Sequence, residues 1–237
     1  MELKGHKVVV IGGSSGIGLA AAQAALNEGA EVVIAGRSQE KLDRAKDTLG
    51  GQVLALAADM VDPEAMRRLF EAVGTLDHLF VSAGTARPGL VAETEMSKAR
   101  PVLERRFWGC YNATHFAAPR ISRSGSITYM SGNAAVRPMS GGSVGSAAVA
   151  AVEAFARGVA LELKPVRVNV VRAGLVDTPM LDGYGERRQK IVEAYSRRSP
   201  AGRIGRPEEI AAGVIYLMKN EYSTGTVLEI DGGALLV

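Results

Sequence analysis

The chain has 237 residues, 47% of them hydrophobic and 22% charged, with a net charge of +3. That length and apolar content suit one α/β domain over residues 1–237, with a sizeable core, better than two smaller ones. A single cysteine, Cys110, allows no internal disulfide and no cysteine metal cluster, so no metal site is expected. Dispersed Lys and Arg with only 5% aromatic residues argue against a nucleic-acid surface. The apolar stretches are interrupted by Gly or charge before the roughly 20 residues a membrane span needs, and the N-terminus lacks a signal-peptide pattern, so a soluble, cytoplasmic protein is expected.

In chain order, apolar strand-like runs fall at 8–11, 32–35, 53–57, 76–81, 127–130, 166–171 and 227–230, most of them separated by segments of helix length. Strand and helix in alternation predict a Rossmann-like, doubly wound parallel sheet of about seven strands, with helices on both faces and right-handed crossovers. The first unit is the most informative. Val8 to Ile11 is a buried-strand run, Gly12, Gly16 and Gly18 let the chain turn tightly and approach a ligand, and an Ala-rich helix over 16–28 follows. Such a helix aims its free N–H groups and its positive dipole end at an anion, which makes the turn a cradle for a nucleotide phosphate.

Gly12-Gly13-Ser14-Ser15-Gly16-Ile17-Gly18 resembles the Gly-x-x-x-Gly-x-Gly turn of the short-chain dehydrogenase/reductase family. The resemblance continues through Asp59-Met60 after the third strand, Ser82-Ala83-Gly84 after the fourth, Gly174 to Thr178 after the sixth, and Asp231-Gly232-Gly233 near the end. It implies a dinucleotide held by Gly12, Ser14, Ser15, Gly16, Ile17 and Gly18. Asp59 and Met60 would meet the adenine, Ser82, Ala83 and Gly84 the adenosine ribose, and Gly174, Val176 and Thr178 the nicotinamide half. A helix N-cap is better assigned to Asp62, ahead of Pro63 and Glu64, than to Asp59. Ala173 and Ile11 stand where the family usually has Pro and Thr.

An NAD site usually carries an acid at the end of the second strand, whereas an Arg there accommodates a 2′-phosphate. Here Gly36 takes the acid's place and Arg37-Ser38 follows, so NADP(H) is favoured over NAD(H), with a solvated surface arginine as the plain alternative.

The family's reaction rests on a Tyr, a Lys four residues later, a Ser and an Asn. Aligned through Val152-Glu153-Ala154-Phe155, the Tyr position is Gly145, the Lys position Val149 and the Ser position Gly132; counted back from Gly109, the Asn position is Arg106. A positioned general acid contributes about 10²–10⁴ in rate, while hydride transfer itself needs only proximity. Replacement candidates are Ser131, Ser143, Ser146 and Arg106. Their plainer roles are a strand-end hydrogen bond for Ser131, a helix N-cap for Ser143 and an ion pair, for instance with Glu104, for Arg106. Tyr111 and Tyr129 read as packing residues, and His115 as a core or interface histidine.

The reading that results is an atypical NADP(H)-binding oxidoreductase acting on a small carbonyl or alcohol through a non-standard proton donor. The rivals are a non-catalytic dinucleotide-binding sensor or scaffold, and a fold-only relative with lyase or dehalogenase-like chemistry. The segment 179–200 resembles the family's substrate lid. A homodimer or homotetramer is expected through Ala-rich helices near 99–117 and 147–163.

Overall fold

The computed structural model describes residues 2–50, 52–84 and 88–237. Seven parallel strands form one sheet: β1 (Lys7–Ile11), β2 (Glu31–Gly36), β3 (Leu54–Ala57), β4 (Leu76–Val81), β5 (Ile121–Gly132), β6 (Arg167–Ala173) and β7 (Val227–Ile230). Their order is β3-β2-β1-β4-β5-β6-β7. The connection reverses between β1 and β4, and in an open α/β sheet ligands bind outside the strand ends at such a reversal.

Side chains alternate across each strand and both faces are buried. Val9, Ile11, Leu79 and Val81 face one core with Met66, Phe70, Ala113 and Val152, from α3 (Pro63–Val73), α5 (Gly109–Ala117) and α6 (Ser143–Glu162). Val8, Val10 and Phe80 face the other with Ala21, Leu42 and Val214, from α1 (Gly16–Asn27), α2 (Gln39–Thr48) and α8 (Pro207–Lys219). The doubly wound, Rossmann-like α/β reading is what the chain adopts.

Two elements depart from expectation. The helix near 99–117 is three pieces: α4 (Met96–Leu103), a π-helical turn over Glu104–Trp108, and α5. Pro101 lies inside α4 and has no N–H to donate, so the regular ladder is already interrupted one turn before the π segment. π-turns of this kind are frequent at functional sites, and Arg106 projects from this one. The second departure is α6, whose 20 residues are long and apolar enough to cross a membrane by length and composition, where no such stretch is expected from the sequence. It is a core helix: Ala148, Val149, Val152, Ala156 and Val159 are buried, and its central Glu153 is ion-paired inside the protein.

Candidate active site

The turn after β1 is fixed by backbone bonds. Gly12 N–H and Gly13 N–H donate to the Ala35 carbonyl at 2.7 and 3.3 Å, and Ser82 N–H and Ala83 N–H donate to the Ile11 carbonyl at 2.9 and 3.2 Å. Gly16 has φ +53°, which side-chain-bearing residues rarely adopt. A Cβ on Gly18 would collide with the Gly12 carbonyl, so only glycine lets α1 pack this close to the turn. Ser15 precedes α1 in extended conformation and makes no side-chain cap, which leaves the first-turn N–H groups uncapped by any side chain. A tight glycine cradle under an uncapped helix N-terminus fits a dinucleotide pyrophosphate.

Other predicted cofactor residues gather around this cradle. A Cβ on Gly12 would come within 2.7 Å of the Ala83 nitrogen, and one on Gly16 within 3.1 Å of Thr178 Cγ2, so the turns after β1, β4 and β6 meet. Ser14 Oγ lies 3.7 Å from where a Gly36 Cβ would stand, at the end of β2. Arg37 is exposed beside it. Ser38 Oγ caps α2 by accepting from Lys41 N–H at 3.3 Å, so part of its capacity is spent on the fold. Asp59 Oδ1 accepts from Val61 N–H at 3.2 Å, and Asp62 is the N-cap of α3, accepting from Glu64 N–H at 2.9 Å. Met60 is buried, and its carbonyl accepts from Asn112 Nδ2 at 3.0 Å. Gly174 N–H donates to the Ile230 carbonyl at 3.0 Å, and buried Val176 bridges to Gly205. Asp231 accepts from Asn133 Nδ2 at 2.9 Å and from the backbone of Gly233 and Leu235, which closes the β7 end onto the β5 end.

Gly132 ends β5, paired with Ala173 of β6, and Gly145 and Val149 lie one turn apart on α6. A Cβ on Gly145 would meet nothing within 4 Å, while Val149 is buried. Ser131 is committed to the protein: its hydroxyl donates to Glu153 Oε1 at 2.7 Å. That carboxylate also accepts from Arg172 Nε at 2.9 Å and Nη2 at 2.7 Å, and Arg172 reaches Glu229 at 3.0 Å. Burial alone raises the Glu153 carboxyl, but the bonds from Arg172 and Ser131 outweigh it and hold the group below its ordinary value. Ser143 is not the N-cap of α6. The chain turns at Gly141, φ +77°, and Gly142 takes the cap position, which leaves Ser143 as the first helical residue. Ser146 Oγ is buried without a hydrogen-bond partner among the described residues.

Arg106 is the other side chain at these positions. Its guanidinium packs flat against Gly84, where any Cβ would collide with it. Among the described residues it makes no ion pair, so the expected pairing with Glu104 does not form. Burial lowers its pKa, and the neighbouring Cys110 works in the opposite direction. Cys110 itself is pushed up to about 12 by burial. Tyr129 is fully buried and hydrogen-bonded to Thr114 at 2.5 Å, as a packing residue. Tyr111 is 43% exposed and stacks on exposed His115, so neither is a core residue.

One turn from Arg106 along the helix, Val102 lines a cavity of about 520 Å³. The segment 179–200 forms a 3-10 stretch, Pro179–Arg187, followed by α7 (Arg188–Arg198), and contributes Met180, Tyr184 and Arg187 to the cavity wall. Tyr195 of α7 donates to the Asp231 carbonyl at 3.1 Å, which ties the segment to the β7 end. Sequence reasoning missed Asn112, Asn133 and the role of Glu153. For Glu153 the signal was a lone acid inside an apolar helix.

A phosphate cradle at the reversal of a doubly wound parallel sheet, beside a cavity, defines a dinucleotide-binding protein of the Rossmann class. A family model described as enoyl-(acyl carrier protein) reductase matches residues 11–234. The short-chain dehydrogenase/reductase ATR9 of Stachybotrys chlorohalonatus is 32% identical over 99% of this chain and 98% of its own. The solved structure of the MalC reductase/Diels-Alderase from Malbranchea aurantiaca superposes with a TM-score of 0.93, at 31% identity, covering 99% of this chain and 98% of that one. An NADPH-bound short chain oxidoreductase from Pseudomonas aeruginosa PAO1, described as containing an atypical catalytic center, gives 0.88 at 29% identity over 96% of both chains. The chain belongs to the short-chain dehydrogenase/reductase family.

Proposed function

We propose that the protein is an NADP(H)-dependent carbonyl reductase that works without the family's Tyr-Lys pair and uses Arg106 to stabilise the reacting oxygen. The observation that carries this reading is the guanidinium held against Gly84, its pKa lowered by desolvation, one helical turn from cavity-lining Val102 and with no carboxylate partner among the described residues.

Gly12 to Gly18 hold the pyrophosphate on the α1 N-terminus, and Arg37, with no acid at Gly36 to oppose it, pairs with the 2′-phosphate. Asp59, Met60, Ser82, Ala83 and Gly84 border the adenosine, and Gly174, Val176 and Thr178 the nicotinamide end. When bound, the cofactor supplies a hydride to the carbonyl carbon. Arg106 donates N–H to the carbonyl oxygen and stabilises the negative charge that develops there, in surroundings where burial strengthens the interaction. A guanidinium does not release a proton near neutral pH, so the proton that completes the alcohol comes from water. Ser131 gives its hydrogen bond to Glu153 and takes no part.

The NADPH complex of the Pseudomonas relative supports the cofactor assignment. Calorimetric titration with NADPH and NADH, followed by NADPH oxidation against a panel of ketones, aldehydes and alcohols, tests the reading. Tighter NADPH binding with slow carbonyl reduction is the expected result. Binding with no turnover of any carbonyl would favour the sensor or scaffold reading, for which the open space at Gly145 speaks.

A further inference from the structure

The 174–178 segment follows β6, and α7 is held beside it by polar ties. None of the side chains of α7 is fully buried. Burial of apolar area therefore fixes this helix only weakly, and its few hydrogen bonds decide where it sits. At its first residue, Arg188 Nη2 pairs with Asp177 Oδ1 at 2.6 Å. Just past its last, Ser199 Oγ donates to the Gly232 carbonyl at 2.9 Å.

Tyr195 makes the tie between these two. Its hydroxyl donates to the Asp231 carbonyl at 3.1 Å and lies so close to Gly174 that any Cβ there would collide with it. The Leu175 N–H faces the same oxygen: burial raises the Tyr195 pKa, and that N–H opposes the rise. One oxygen thus joins α7, the start of the 174–178 segment and the turn after β7. The segment is also paired with Gly205, whose N–H donates to the Leu175 carbonyl at 2.8 Å and whose carbonyl accepts from Asp177 N–H at 2.9 Å. At the segment's end, Thr178 Cγ2 stands 3.1 Å from the place of a Cβ on Gly16, in the phosphate cradle. A phenylalanine ring could fill the space of the Tyr195 ring, but the junction would lose its one hydroxyl.

We infer that Tyr195 is a positioning residue for the nicotinamide: its hydroxyl sets the backbone of the 174–178 segment, and it acts through that backbone rather than by touching the cofactor. The inference rests on the reading that Gly174, Val176 and Thr178 meet the nicotinamide end of the dinucleotide.

Calorimetric titration of wild type and Tyr195→Phe with NADPH and with adenosine 2′,5′-bisphosphate separates the two halves of the cleft, because the bisphosphate carries the adenosine and its 2′-phosphate but no nicotinamide. Wild type should hold NADPH more tightly than the bisphosphate. Removing the hydroxyl should weaken NADPH about fivefold, as the loss of one neutral hydrogen bond requires, and leave the bisphosphate unchanged. Equal weakening of both ligands, or a lower Tm with the ratio of the two affinities unchanged, would make Tyr195 a residue of the fold alone and overturn the inference. A wild type that binds NADPH no more tightly than the bisphosphate would instead remove the nicotinamide from the 174–178 segment, and the inference would fall with that reading.

Discussion

Replacing Arg106 by Met removes the charge and the N–H donors while keeping an unbranched apolar side chain in the space over Gly84. If the guanidinium stabilises the reacting oxygen, the variant should lose about 10²–10³ in kcat, the cost of one preorganised donor, or about 2.7–4 kcal/mol of transition-state stabilisation. Its stability should move in the other direction. A partly buried cation with no carboxylate partner among the described residues is a desolvation cost to the fold, and desolvation does lower the Arg106 pKa. Apolar replacement of buried ionic groups is often neutral or stabilising by about 1–4 kcal/mol, and for a single ion near a cleft about 1 kcal/mol is the fair figure. In a chain of this length that raises Tm by about 2–4 °C. Steady-state NADPH oxidation measures the first effect, calorimetric melting the second, and titration with NADPH checks that the cleft is intact. Arg106→Lys, which keeps a charge but loses the planar fork, should recover part of the rate. A Met variant with full kcat would refute the oxygen-stabilising role. One that melts several degrees lower would show that Arg106 holds the fold.

Four further outcomes are expected. Arg37→Asp should weaken NADPH binding by about 1.5–3 kcal/mol, the worth of a hydrogen bond to a charged group, with little effect on NADH; equal losses for both in calorimetric titration would return Arg37 to solvent. Glu153→Ala should destabilise by about 3 kcal/mol in urea unfolding, the low end for breaking a buried ion pair because Arg172 keeps Glu229, and a loss under about 1 kcal/mol would contradict the buried network. His78 is fully buried between His6 at 3.1 Å and Ser126 at 2.8 Å, and burial, with His6 and Arg167 adding to it, pushes its pKa down to about 4. The unfolded chain therefore takes up this proton first, so stability should fall as pH drops from about 6.5 towards 4, by about 3 kcal/mol at 1.36 kcal/mol per tenfold in proton affinity, and His78→Gln should flatten that limb of the urea-unfolding profile. Trp108 and Tyr111 are 49% and 43% exposed on the π segment and α5, and Trp108→Arg with Tyr111→Arg should reduce a homodimer or homotetramer to monomer in light scattering; an unchanged assembly would move the interface elsewhere.

The sheet was legible because its strands are buried on both faces. Val8 to Ile11 and Leu79 to Val81 are continuous apolar runs, which a parallel strand covered on both faces tolerates. The turn over Gly12 to Gly18 was legible for a related reason: its function lies in backbone geometry, and the residues that permit the geometry are named in the sequence. What escaped depends on side-chain direction and on contacts between distant segments. Ser131 reads as a strand-end hydrogen bonder, but its partner is known only once α6 lays Glu153 over it. Ser143 reads as a cap until Gly141 and Gly142 shift the start of the helix by one residue. Arg106 reads as half of a surface pair with Glu104, since Pro101 hints at an irregular helix but does not announce that the π-turn over Glu104–Trp108 will turn Arg106 onto Gly84. The same asymmetry separates the cleft from the side chains around it. Gly145 and Gly132 have room around a Cβ, so either a glycine or a larger side chain can stand there without backbone strain, whereas a Cβ on Gly18 would drive α1 off the turn. Dinucleotide binding is thus fixed by the fold's own packing, while the chemistry rests on a few side chains that can change without disturbing it.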